Sequence, residues 1–296
     1  MTSPRKGPAG GPAAVALSVL AVAILAASAL GSATRAGGVV RGKAAFAAAA
    51  DVSANWAGYV ATGLGSTSTT ASPAMAYTDV TGQWVEPRAT CTTGASTSVA
   101  LWVGLGGYSE SSQALEQTGT SADCSASGEA SYYAWYELVP ADSVNVNGLK
   151  IFPGDVIAST VLIKGTDVLV QVKDRTRKTS FTKHLQMRTP DLTSAEWIAE
   201  APSECGANAC REIPLTNFGS VTFSRTYAWG NGTPGTITSP SWMSSSIQLI
   251  PHARRSFGDP NDPTSGAGGA GAAPEGLAPD GTGFSVNWQA NPSASN

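Results

Sequence analysis

Histidine is nearly absent from this 296-residue chain, which holds only His184 and His252. That scarcity removes much hydrolytic and metal chemistry, because zinc sites and nucleophile–base pairs draw on imidazole. His184 lies beside Lys183 in a strand-like run and His252 beside Arg254 and Arg255, settings that suit surface residues. No G-x-S-x-G and no H-E-x-x-H occurs, so a serine-hydrolase elbow and a zinc-protease helix are both missing. Charge is also sparse, at 13% of residues with a net charge of −3. No Lys/Arg cluster is long enough for a nucleic-acid footprint, and the basic stretch 173–178 reads as a solvated hairpin turn. Asp280-Gly281 reads as a turn rather than half of an aspartic-protease pair. Helical periodicity is lacking from Asp51 onward, and no apolar run after the N-terminus is long enough to span a bilayer.

The N-terminus has what the rest lacks. Arg5 and Lys6 precede an apolar run over residues 13–30, followed by Gly31-Ser32-Ala33, the layout of a secretory signal. An uncleaved anchor is the competing reading. Small residues at Ala36, Ala45 and Ala48 offer cut sites between Ala33 and Ala50, and residues 44–50 form a short leftover or a pro-piece. We therefore divide the chain into residues 1–50, a signal peptide with a possible short pro-segment, and residues 51–296, one domain. In an exported chain four cysteines imply disulfides. Of the three possible pairings we favour Cys205–Cys210, across a four-residue loop, and Cys91–Cys124. A metal site is disfavoured, since Cys-x4-Cys without nearby histidine is poor zinc spacing.

Short β-like runs separated by Gly/Pro/Ser/Thr-rich turns fill the domain. Residues 55–60, 80–85, 98–103, 113–119, 130–137, 154–163, 168–174, 179–187, 194–200, 218–224, 247–250 and 284–288 read as strands, with a mobile loop expected over 259–279. Many short strands at close spacing predict an all-β fold, a sandwich of two antiparallel sheets. The glycine cluster Gly104-Leu105-Gly106-Gly107 is not a dinucleotide loop, having no third spaced glycine and no following helix; it lets a turn pass close to backbone or ligand. In Ser194-Ala195-Glu196-Trp197-Ile198-Ala199-Glu200 the period of two places Glu196, Ile198 and Glu200 on one face and Trp197 on the other. That face is either a solvated exterior or the seat of an acid/base carboxylate. Tyr133, Trp135 and Glu137 likewise share a face, and Glu137 with Glu200 supplies the two carboxylates a glycosidase needs.

Taken in order, Ser53-Ala54-Asn55-Trp56-Ala57-Gly58, Trp102-Val103-Gly104-Leu105-Gly106-Gly107, Glu116-Gln117-Thr118-Gly119, Ala134-Trp135-Tyr136-Glu137, Ala195-Glu196-Trp197-Ile198-Ala199-Glu200 and Phe218-Gly219-Ser220-Val221 resemble the eqolisin family, the glutamic peptidases. The resemblance runs from Asn55 to Trp288. It implies a two-sheet sandwich of the concanavalin A-like lectin and glucanase type, and a secreted acid endopeptidase acting on polypeptides. It places the catalytic pair at Gln117 and Glu200, with Trp102 and Trp135 lining the cleft and Glu137 as a neighbouring carboxylate. Glu137 and Glu196 are expected to raise the proton affinity of Glu200 by like-charge repulsion. Gly106, Ser121 and Tyr133 stand where the fungal pattern carries acids, which thins the acidic network. A monomer without metal or cofactor is expected, touching neither nucleic acid nor, once the signal is cut, a membrane. The rival reading is a glycan-binding or glycan-cleaving sandwich.

Overall fold

The computed structural model describes residues 38–40, 52–64, 75–109, 112–205, 210–251 and 269–292, all within Ala36–Asn296. Residues 1–37 and 41–50 of the expected signal peptide and pro-segment, His252, and residues 259–268 of the expected loop lie outside the described residues.

Among the described residues no helix forms. In chain order the strands are Gly38–Val40 (β1), Val52–Ser53 (β2), Trp56–Thr62 (β3), Tyr77–Val85 (β4), Thr97–Gly106 (β5), Leu115–Cys124 (β6), Ala130–Val139 (β7), Val144–Lys150 (β8), Val156–Lys164 (β9) and Asp167–Asp174 (β10). They continue with Thr179–Gln186 (β11), Ser194–Glu200 (β12), Ser203–Cys205 (β13), Cys210–Glu212 (β14), Ser220–Gly230 (β15), Thr233–Thr236 (β16), Met243–Leu249 (β17), Gly271–Pro274 (β18) and Gly283–Gln289 (β19). The expected strands all appear, with shifted ends. Within the expected loop, Gly271–Pro274 instead forms a strand, held between β17 and β19.

Fourteen strands follow one another in a single hydrogen-bonded path, β11-β10-β9-β4-β15-β19-β18-β17-β3-β12-β5-β6-β7-β8. Pairing along it is antiparallel; β2 alone runs parallel to its partner, β17. β1, β13 and β14 form a separate three-stranded sheet. β17 joins the two halves of the long path, since Met243 to Ile247 pair with β3 while Leu249 pairs with Ala272 of β18.

The halves meet through alternate residues. Leu101, Val103 and Trp197 pack in one buried cluster with Val80, Trp84, Val161 and Phe223. Polar tips buried between them are satisfied across the gap: Trp197 Nε1 donates to Thr81 O at 2.9 Å, Trp84 Nε1 to Thr120 Oγ1 at 3.1 Å and Ser159 Oγ to Thr118 O at 2.9 Å. Trp197 is fully buried, and its indole also stands against Gly82, where a Cβ would lie 3.0 Å from Trp197 Cδ1. Trp197→Ala is expected to cost about 3–5 kcal/mol, read as a lower urea midpoint.

Cys91 and Cys124 are disulfide-bonded. Cys205 and Cys210 face each other in the β13–β14 register, but their side chains lie outside the described residues. His184 is exposed beside Asp167, as expected.

Candidate active site

Strand register assembles the face on which the expected residues meet. Glu200 lies opposite Trp56 of β3 and Ala100 of β5, and the row continues through Ser121 of β6 to Tyr133 of β7. Two residues along, Ile198 lies between Gly58 and Trp102, followed by Gly119 and Trp135. Two further, Glu196 lies between Val60 and Gly104, followed by Gln117 and Glu137. Because alternate residues point the same way, the three rows share one face, opposite the face that packs Trp197 and Leu101 into the core. The solvated-exterior reading of Glu196 and Glu200 is thereby corrected: both are 0% exposed.

Small residues make this floor possible. A Cβ on Gly119 would lie 2.0 Å from Leu101 O and 2.8 Å from Trp102 Cβ, and one on Gly58 2.1 Å from Trp197 O. Gly119→Ala therefore forces backbone to move beneath Trp102. A loss of about 1–3 kcal/mol is expected, together with a fall in activity larger than that of Gly276→Ala, where a Cβ meets nothing within 4 Å.

Glu200 is held from two sides. Trp102 Nε1 donates to its Oε2 at 2.8 Å and Asn55 Nδ2 to its Oε1 at 3.4 Å. The amide of Asn55 is oriented by Ser53, whose hydroxyl donates to Asn55 Oδ1 at 3.0 Å and accepts from Trp56 N at 3.1 Å. Trp102 meets Trp56 edge-on, with ring centroids 4.9 Å apart. The second expected residue, Gln117, donates from Nε2 to Glu137 Oε2 at 2.9 Å. Gln117, Glu137, Trp102 and Trp135 are all 0% exposed.

A second acidic group stands at the start of β12. Burial raises Glu196 well above the usual carboxylate range, and the charges of Asp191 and Glu116 raise it further. Burial pushes Glu116 up to about 8. Asp191 goes the other way: although burial opposes it, Ser112 Oγ, Thr193 Oγ1 at 2.6 Å, Thr193 N and Gly107 N all donate to it and hold it low. Ser194 Oγ and the Asp191 N–H lie near enough to lower Glu196 and Glu116, yet neither contact meets hydrogen-bond geometry. In acid Glu196 keeps its own proton, so the like-charge repulsion on Glu200 expected from it falls away.

Sequence reasoning missed Asp191. Gly106 lacks the acid of the fungal pattern, but a Cβ there would lie 2.4 Å from Asp191 Cβ, so Asp191 fills the space that the glycine leaves. Gly106 and Gly107, at φ +82° and +85°, are the signal that something passes close by. Asp123 was also missed; Tyr133 OH donates to its Oδ2 at 2.7 Å and Ser98 Oγ to its Oδ1 at 2.6 Å. Asn55 touches Glu200 directly. Among the described residues no group of three His, Cys, Asp or Glu is placed to hold a metal ion.

Comparison with known proteins bears on this face. A family model of the Peptidase A4 family matches residues 54–248. Aspergillopepsin-2 of Aspergillus niger is 31% identical over 204 residues, which span 62% of this chain and 66% of that protein's length. Scytalido-glutamic peptidase, solved with a peptide-based transition state analog, superposes with a TM-score of 0.59 at 21% identity, covering 79% of this chain and 98% of that one. SCP-B, a member of the eqolisin family of peptidases in complex with the tripeptide Ala-Ile-His, gives a TM-score of 0.57 at 20% identity with the same coverage. At such identities the two superpositions speak to the fold.

Proposed function

The chain belongs to the Peptidase A4 family, and we propose that it is a secreted glutamic endopeptidase that hydrolyses polypeptides in acid with Glu200, Gln117 and one water. The observation that carries this reading is the setting of Glu200, a buried carboxylate receiving N–H bonds from Trp102 and Asn55 on the face that also bears Gln117. Two donors leave the carboxylate as an acceptor, the form that a general base requires.

Glu200 takes a proton from water as the water oxygen bonds to the peptide carbonyl carbon. The carbonyl oxygen becomes an oxyanion, and the amide of Gln117 donates to it. The N–H bond of that amide to Glu137 fixes its orientation as the oxyanion donor. As the C–N bond breaks, Glu200 passes its proton to the departing amine and is again a carboxylate. Trp102 and Trp135 line the substrate's path, and Glu137 acts through Gln117. The strands form a two-layer sandwich of the concanavalin A-like type, working as a monomer.

Digestion of a denatured protein across pH 2 to 7 tests the reading. Cleavage is expected on the acid side, resistant to pepstatin and chelators, and lost in both Glu200→Gln and Gln117→Ala. Chelator-sensitive cleavage, or none by the wild type at any pH, overturns it; in the latter case binding of soluble glycans is the next assay.

A further inference from the structure

In the row that runs from Val60 through Glu196 to Gln117 and Glu137, Gly104 is the one residue without a side chain. It lies inside the regular pairing of β5 and its φ is not positive, so its backbone is one that any residue adopts. Glycine is required here for space instead. A Cβ on Gly104 would lie 2.8 Å from Trp102 Cζ3, 3.1 Å from Leu115 Cδ1 and 3.2 Å from Gln117 Cβ.

Two of those three neighbours bear on the chemistry. The indole of Trp102 reaches from Glu200, where Nε1 donates to Oε2 at 2.8 Å, to Gly104, where its Cζ3 corner takes the place that a side chain would fill. Nε1 and Cζ3 sit on opposite sides of one rigid plane, so displacing either displaces the other. The ring has little room to retreat: it is 0% exposed, and Trp56 meets it edge-on with centroids 4.9 Å apart. Leu115 Cδ1 ends a flexible side chain and can turn aside. Gln117 Cβ cannot, being fixed to the backbone of β6.

We infer that Gly104 is a positioning residue: its missing side chain is the slot in which the indole of Trp102 lies, and that slot sets where Glu200 is held relative to Gln117. This rests on the peptidase reading for its effect on catalysis, but not for the seat of the ring. A methyl group at 104 presses on Cζ3 from one side and on Gln117 Cβ from the other. The Nε1–H then tilts off Glu200 while Gln117 is pushed aside. Misplacing a reacting group by about 1 Å costs on the order of 100-fold in rate, and a buried, close-packed ring passes such a shift on instead of absorbing it.

The full-length chain tests this beside Gly104→Ala, Trp102→Phe and the double variant. Phenylalanine has neither the Nε1–H nor the Cζ3 corner. Two quantities are read: the nuclear magnetic resonance signal of the Trp102 indole N–H, and kcat and KM for peptide cleavage. In Gly104→Ala the signal is expected to move upfield and exchange faster with solvent. There kcat should fall about 10- to 100-fold with KM little changed, the mark of a group that acts in the transition state. In the Trp102→Phe background the same substitution should cost less, because the corner it strikes is gone. An unchanged indole signal overturns the inference, as does a moved signal with unchanged kcat or an equal cost in both backgrounds. If Gly104→Ala does not fold, the double variant decides: folding like Trp102→Phe upholds the contact, and failure to fold overturns it. A moved signal with no cleavage by any of the proteins, wild type included, upholds the seat of the ring and instead sinks the peptidase reading.

Discussion

Glu200→Gln is expected to lower kcat/KM for peptide cleavage by roughly 10²–10⁴-fold, the range for loss of a general acid–base. The substitution keeps the shape of the side chain and loses the proton-accepting oxygen. It also sets donor against donor. If the new amide oxygen accepts from Trp102 Nε1, its NH₂ faces Asn55 Nδ2, and Ser53 keeps Asn55 from turning over. Residual activity should therefore not climb as pH is lowered, because no titrating group remains at that position. Asn55→Ala is the companion: it leaves Trp102 on Glu200 and should cost less, about 10-fold for one lost hydrogen bond to a charged group. Activity in Glu200→Gln within tenfold of the wild type would remove Glu200 from the mechanism.

Stability is expected to fall as pH rises from about 4.5 to 8. Glu86 is fully buried, and burial pushes it up to about 7 although Thr120 Oγ1 and Trp84 Nε1 donate to it. Glu116 is pushed up to about 8. Below pH about 4 both groups are protonated folded or unfolded and contribute no slope. Above it the unfolded chain releases protons that the folded chain keeps, which favours unfolding by about 1.4 kcal/mol per pH unit and group until the folded pKa is passed. Integrated, Glu86 costs on the order of 3 kcal/mol and Glu116 on the order of 5, comparable to the whole stability of an ordinary domain. Asp191 has the opposite sign. Its lowered pKa contributes stability above the usual aspartate value that is lost as pH falls through the folded one, so an acid limb should follow below about pH 4. Urea titrations from pH 3 to 8 check this, with Glu86→Gln expected to flatten the slope between 5 and 7. A midpoint that holds or rises from pH 5 to 8 would contradict these protonation states.

The legible parts of the fold are those in which one strand carries its own pattern. Trp197 between Glu196 and Ile198 alternates faces as written, and so that strand could be read from one dimension, whereas the meeting of Glu200 with Trp102 was legible only through the resemblance of the ordered motifs. Val144–Lys150 escaped because it is largely exposed and polar, and Gly271–Pro274 because glycine, alanine and proline have no β preference; β17 and β19 hold it extended. Asp191 escaped for another reason. Its partners Gly106, Gly107 and Ser112 lie about 80 residues upstream, and no local period records a contact of that range. What the residues alone left undecided at Glu200, exterior charge or acid/base, turned on burial, which depends on what covers a face rather than on the face.

The double membership of β17 governs how this protein comes apart. Its leading residues belong to the half of the path that carries Glu200 and its last to the half that carries Phe223, so neither half can fray as an independent module without breaking the strand that both share. Unfolding should then be all-or-none, with tryptophan emission and far-ultraviolet ellipticity changing together. The face that bears Glu200 and Gln117 and the half of the path behind it would share one fate, leaving little room for a partly melted species in which that face persists.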